Sequence, residues 1–251
     1  MDRSYAVRMC GRYVAELKTF WADNFWKIYR GQDVSFEWED RFSVAPSNHA
    51  PILREHLDED GEVRRVIETA KWGYEAPWVT EGDKKPRPIN ATIEKLNTSG
   101  MWKPPLSSQR IVVPMSGYYE FVPTMVDGKE VKVPHFIHHR EGALLMAAGL
   151  CSARETPEGW VHTYTIVTRP GKDAAGEVHD RMPAFLTAEG VDHWLAPEKL
   201  DQGGRAEIVD WLEAESERLT PDLVEYAVDR KLNNTRTVNP FDPTLILPAP
   251  V

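Results

Sequence analysis

Apolar residues recur with helical spacing near the start of the chain. Leu17, Phe20, Trp21, Phe25 and Ile28 fall at offsets of three, four, eight and eleven, so they share one face and predict an amphipathic helix beginning soon after Arg12. The middle of the chain reads differently. The runs at 111–113, 118–121, 135–137, 144–148 and 164–168 are short, β-prone and broken by Pro and Gly, which predicts strands of a curled antiparallel or mixed sheet. Asp127-Gly128 predicts a hairpin turn between two of these runs, and Asp58-Glu59-Asp60-Gly61 marks an earlier one. Helical periodicity then returns. Thr187 is the expected N-cap of a helix carrying Val191, Trp194 and Leu195, and Ile208, Trp211 and Leu212 define another short amphipathic helix. From Asn239 onward, Pro240, Pro243, Pro248 and Pro250 predict an extended strap over the surface or a frayed end. A strand-rich middle flanked by helices, without alternating βαβ units, predicts an α+β fold: one domain with a curled, barrel-like mixed or antiparallel β core flanked by helices.

Composition narrows the choice of partners. With 251 residues, 41% of them hydrophobic and nine Trp, the chain can bury the core of one large domain, and no repeat or long Gly/Ser linker divides it. The net charge of −9, from 30 basic and 39 acidic side chains, argues against broad electrostatic coating of duplex nucleic acid and leaves a local basic cleft as the alternative. The longest apolar run, 143–151, is about nine residues against the roughly 20 that span a bilayer, so a soluble, monomeric protein with no membrane partner is expected. Two cysteines, Cys10 and Cys151, indicate neither a disulfide framework nor a multi-cysteine zinc site; a cytoplasmic location, no metal and no organic cofactor are expected.

Cys10 carries the most pointed chemical signal. It follows a methionine in Met9-Cys10-Gly11-Arg12, so a chain begun at Met9 and trimmed once would start with cysteine. Such a residue offers an α-amine with pKa of about 7.7–8.0 beside a thiol near about 8.5. The amine condenses with an aldehyde to an imine, and the thiol closes a five-membered thiazolidine in an intramolecular step. As written, residues 1–8 precede Met9 and make the Cys10 nitrogen an amide. They have no apolar stretch and are too short for a signal peptide, which leaves a start at Met9, a processed leader, or a cysteine that works as a thiol only. A small buried hydrophobe is the plain alternative for any such cysteine.

Four further segments combine Pro or Gly punctuation with polar and aromatic residues: Arg41-Phe42-Ser43-Val44-Ala45-Pro46-Ser47, Pro88-Ile89-Asn90-Ala91-Thr92-Ile93-Glu94, Gly117-Tyr118-Tyr119-Glu120-Phe121 and His179-Asp180-Arg181-Met182-Pro183. Together with Met9-Cys10-Gly11-Arg12 they resemble the SRAP (SOS-response-associated peptidase) family, whose members crosslink to abasic sites in single-stranded DNA. The resemblance implies covalent chemistry at Cys10, a pocket asparagine at Asn90, an acid/base glutamate at Glu120 and a histidine at His179. It also implies DNA-facing roles: Trp78 stacking on a base, worth about 1–3 kcal/mol, Met101 as an apolar wedge, Arg12 and Arg181 on phosphates, and Pro46 and Thr168 beside the strand. Trp72 reads as a core residue. The roles suit the chemistry, because imine formation needs one proton removed from the amine and another delivered to the departing hydroxyl. Asn90, donor and acceptor at once, could hold a sugar hydroxyl or the amine.

Two departures stand out. Thr92 occupies a position where many members have arginine, leaving Lys84, Lys85 and Arg87 as substitutes for one phosphate contact, and the eight-residue extension precedes Met9. The expected organisation is an extension at 1–8, an SRAP-like domain at 9–239 and a Pro-rich tail at 240–251. The expected function is covalent capture of abasic sites in single-stranded DNA, with autoproteolytic or aminopeptidase exposure of Cys10 and lyase-type activity in addition. The alternatives are a cysteine peptidase, with the Cys10 thiol as nucleophile and His179 or Glu120 as base, and a noncovalent reader of damaged DNA.

Overall fold

The computed structural model describes residues 11–17, 37–79, 87–126, 128–156 and 159–249; Cys10, Lys84, Lys85 and nearly all of the expected N-terminal helix lie outside them. The first strands are β1 (Tyr13–Ala15), β2 (Arg41–Val44), β3 (His49–Leu57), β4 (Val63–Trp72) and β5 (Asn90–Thr92). A short helix, α1 (Lys103–Ser108), leads into β6 (Arg110–Met115), β7 (Gly117–Val126), β8 (Lys129–His139), β9 (Leu145–Thr156) and β10 (Gly159–Pro170). Then come α2 (Asp173–Val178), β11 (Arg181–Pro183), β12 (Phe185–Leu186), α3 (Ala188–Leu195), α4 (Gln202–Glu217) and β13 (Leu223–Ala227).

Five of these strands close into a ring. β3 pairs with β4, β3 with β6, β6 with β9 and β9 with β10, all antiparallel, and β10 returns to β4 through a parallel ladder at Thr163–Lys71 and Tyr164–Trp72. Alternation fills the ring: Ala50, Ile52, Ala70, Trp72, Ile111, Val113, Ala147, Tyr164 and Ile166 share one buried cluster inside it. The outward residues Leu53, Val112, Ala148 and Leu150 meet Trp194, Leu195, Ile208 and Leu212 of α3 and α4. Closure is tight at Gly149, where a Cβ would lie 2.8 Å from the Thr165 carbonyl oxygen.

β5, β11 and β12 extend the ring's sheet, and the other five strands form a second sheet in the order β13-β8-β7-β1-β2. Its long β7–β8 hairpin turns at Gly128, whose φ of +73° suits the Asp-Gly signal. Thr187 caps α3 by accepting from the Gly190 N–H at 3.1 Å, as the sequence predicts, whereas α4 runs to 16 residues instead of forming a short helix. The strap alternative holds for the tail as far as it is described. A 3-10 turn at Pro243–Ile246 buries Leu245, and the Ala249 N–H donates to the Ala227 carbonyl at 2.8 Å. Among the described residues no helix is long and apolar enough to cross a membrane.

Candidate active site

Glu120 owes its position to strand alternation. Tyr118 joins the ring's core while Tyr119 packs with Phe136 on the other face of the sheet, so Glu120 faces inward with Tyr118 and is 2% exposed. β1 runs alongside, with Tyr13 opposite Tyr118 and the Tyr119 N–H donating to the Arg12 carbonyl. Continuing that register brings Gly11, the residue after Cys10, level with Glu120. On the other side His135 stands directly opposite Glu120 in β8, and its Nδ1 lies 2.5 Å from Glu225 Oε2 on β13. The sequence reading missed this pair, whose proximity exists only once three strands are in register.

The end of β10 gathers the other polar candidates. β5 pairs with it on one side, Asn90 opposite Ile166 and Thr92 opposite Thr168; β11 pairs on the other, with Thr168 opposite Pro183 and Pro170 opposite Arg181. Asn90 and Arg181 therefore flank Thr168, which is fully buried and whose carbonyl accepts from Arg181 Nη2 at 2.8 Å. Between β10 and β11, α2 packs against β7, β8 and β13, so the His179 that ends it is carried toward the sheet bearing Glu120.

His179 is held in a defined tautomer. The Arg181 backbone N–H can only donate, and its 3.0 Å bond to Nδ1 makes that nitrogen an acceptor, leaving the proton of the neutral ring on Nε2. Nε2 is buried with no partner among the described residues. The Asp180 carboxylate, 86% exposed, also lies 3.0 Å from Nδ1. The loop is built on a glycine pair. A Cβ on Gly171 would lie 2.3 Å from the His179 carbonyl oxygen, and one on Gly176 would lie 3.0 Å from the Gly171 backbone. The two non-glycine residues with positive φ among those described are Asp173, at +50° in this connection, and Ser47, at +72° next to Pro46. Each such conformation costs about 1–3 kcal/mol and is commonly retained at functional sites.

The residues expected to face DNA divide by exposure. Trp78 is 54% exposed, Pro46 is exposed in the turn that Ser47 zips to Trp72, and Met101 is half-buried. Trp72 is wholly buried in the core. Arg12 turns inward, 5% exposed, with Nη1 donating to Ser43 Oγ and the Leu232 carbonyl, so in this arrangement its guanidinium supports the fold and does not front solvent. Arg87 pairs with Glu75 at 2.7 Å. Arg181 forms a two-pronged pair with Glu94, a residue to which the sequence reading gave no role.

The profile of the SOS response associated peptidase (SRAP) family matches residues 9–235. The chain belongs to this family. Among SRAP relatives, the abasic site processing protein YoqW of Bacillus subtilis is 30% identical over 205 residues, covering 81% of this chain and 85% of that protein. The abasic site processing protein HMCES of Pongo abelii is 27% identical, over 84% of this chain and 68% of its own. A phage-related protein from Bordetella bronchiseptica shares the fold with a TM-score of 0.65 at 25% identity, over 88% of this chain and 95% of that one. The second cysteine of this SRAP chain is chemically quiet. Cys151 is buried in the ring wall, its thiol 3.5 Å from Gln109 Oε1, and burial pushes its pKa up to about 12. It borders a cavity of about 320 Å³ at the start of β10, the end of the ring away from Thr168 and Arg181, where Arg54 and His162 both contact the Glu68 carboxylate.

Proposed function

We propose that the protein captures abasic sites in single-stranded DNA as a covalent adduct of Cys10, once removal of residues 1–9 has freed its α-amine. The observation that carries the reading is the pairing of β1 with β7, which leads the chain to Gly11 beside the buried carboxylate of Glu120. Two facts support it: Nε2–H of His179 lacks a partner among the described residues, and relatives at about 30% identity are named as abasic site processing proteins. The amine attacks C1′ of the ring-opened sugar and one N–H proton moves to the former carbonyl oxygen, giving a carbinolamine. His179 Nε2–H then protonates the hydroxyl, water departs, Glu120 accepts the remaining N–H proton so that the neutral imine is left, and a proton returned from Glu120 to His179 through solvent resets both groups. The thiol then adds across the C=N bond, its proton passing to nitrogen, which closes the thiazolidine. Asn90 orients the sugar, Trp78 and Met101 contact the bases beside the lesion, and Arg181 takes a phosphate. An abasic sugar in a single strand has no base to unstack, so it enters a narrow pocket at low cost.

The test is a denaturing gel of the protein incubated with an oligonucleotide carrying one abasic site. The wild type should give an adduct that survives heat and detergent, with the DNA mass on the peptide beginning at Cys10, and Cys10→Ala should give none. Adduct formation by Cys10→Ala at the wild-type rate would overturn the assignment. Cleavage of unrelated peptides, abolished in the same variant, would favour a thiol peptidase instead.

A further inference from the structure

We propose that Glu94 is a built-in occupant of a DNA phosphate position on Arg181, and that the strand enters by displacing it. The inference rests on the reading above. Arg181 Nη1 donates to Glu94 Oε1 at 2.5 Å and Nη2 to Oε2 at 3.0 Å, the parallel two-bond geometry by which a guanidinium also holds a phosphate. The two halves of the pair differ in freedom. Arg181 is 15% exposed, fixed by its place in β11 and by the Thr168 carbonyl, whereas Glu94 is 51% exposed on a short 3-10 turn. The carboxylate can swing into water while the guanidinium stays. A buried guanidinium with a half-exposed carboxylate also occurs in Arg169–Glu217, at 3% and 45%, and in Arg65–Asp192, at 2% and 46%, so it is the place of Arg181 beside Thr168 at the end of β10 that singles this pair out.

The surroundings fit an anion seat. The Thr92 side chain also hydrogen-bonds the Glu94 carboxylate, and Arg181 Nε is a third donor with no partner among the described residues. A phosphate arriving on Arg181 therefore meets a cation whose charge is already answered, and binding is an exchange of one anion for another. The carboxylate makes each encounter weaker than Arg181 alone would allow, in a protein whose net charge of −9 already repels DNA.

The experiment measures the affinity of wild type, E94Q, R181A and the double variant for a single-stranded oligonucleotide with a tetrahydrofuran abasic analogue, which has no aldehyde and so reports binding alone. E94Q should bind about two- to five-fold more tightly than wild type, the factor equivalent to losing one largely exposed ion pair. The gain should vanish in the R181A background. Unchanged or weaker binding by E94Q, or a gain that persists without Arg181, would overturn the exchange and leave Glu94 a structural partner or a general repulsive charge. Coincident melting curves for wild type and E94Q establish that the comparison is between folded proteins. Wild-type protein that crosslinks natural abasic DNA while E94Q gains nothing would sink this inference alone; wild type that binds no DNA would sink the functional reading with it.

Discussion

A glutamate that is 2% exposed must answer for its burial, because removing a carboxyl group from water costs more than a strand position alone returns. Three segments converge on it: the chain leading into β1, level with it at Gly11 by extension of the β1–β7 register, β7 itself, and β8 with His135 backed by Glu225. His179 adds a donor of fixed tautomer from a separate loop. If Glu120 moves the amine proton and His179 the hydroxyl proton, Glu120→Gln and His179→Gln should each slow adduct formation by about 10²–10⁴-fold. Affinity for the tetrahydrofuran analogue should hold in both. Single-turnover rates against the same oligonucleotide separate the effects, and equal loss of binding and rate in Glu120→Gln would make that residue structural. In wild type the rate should rise with pH through about 7–8 as the α-amine loses its proton, since only the neutral amine attacks. A profile flat across that range would count against a free amine.

Elements decide which of these residues could be read from the chain. The runs at 111–113, 118–121, 135–137 and 164–168 lie within strands, and that at 144–148 does so from Leu145, because they are rich in apolar, β-branched and aromatic residues. β3 and β4 were harder to read: Arg54, Arg65 and Glu68 interrupt the pattern, and the pairing of Arg54 with Glu68 and of Arg65 with Glu55, which makes them tolerable in a barrel wall, is invisible until the strands are in register. For the same reason Glu94 carried no signal, since its partner lies 87 residues away. The six residues of α2 are too few for periodicity, yet they set His179. Gly171 is the point at which that element can be tested. With its Cβ 2.3 Å from the His179 carbonyl oxygen, Gly171→Ala must move backbone and not merely a side-chain end. A cost of about 1–3 kcal/mol is expected, a fall in Tm of about 2–4 °C per kcal/mol for a chain of this size, together with slower adduct formation. Gly100→Ala, with nothing within 4 Å of the added Cβ, supplies the comparison. Matching Tm and rate in the two variants would mean that the loop does not depend on the glycine contact.

At the scale of the whole molecule the two sheets must hold one relative position, because Glu120 sits on one and Asn90 and Arg181 on strands of the other. The Tyr13 and Tyr164 hydroxyls meet at 2.6 Å across the join, with Trp72 stacked on Tyr164. Tyr118 of the second sheet packs against Phe185 beside the ring. The tail then clamps the outer face. Leu245 is buried with Val14, Tyr119 and Phe136, directly behind the strand that carries Glu120, and Tyr226 Oη donates to the Ile246 carbonyl at 2.6 Å. The clamp is fastened at Asp242, whose carboxylate accepts from Lys231 Nζ at 2.8 Å and from the Thr244 hydroxyl and N–H. Those bonds, Lys231 first, lower its pKa to about 2 from an ordinary 3.8. A depressed carboxylate stabilises the fold fully above its unfolded pKa and loses that contribution as pH falls through the folded value. Asp242→Asn keeps a cap acceptor for the Thr244 N–H and removes only the charge. The Tm difference between wild type and Asp242→Asn should therefore be greatest above about pH 4 and shrink toward zero near about pH 2. A difference that stays constant across that interval would show that the tail is held by the packing of Leu245 and not by the ion pair.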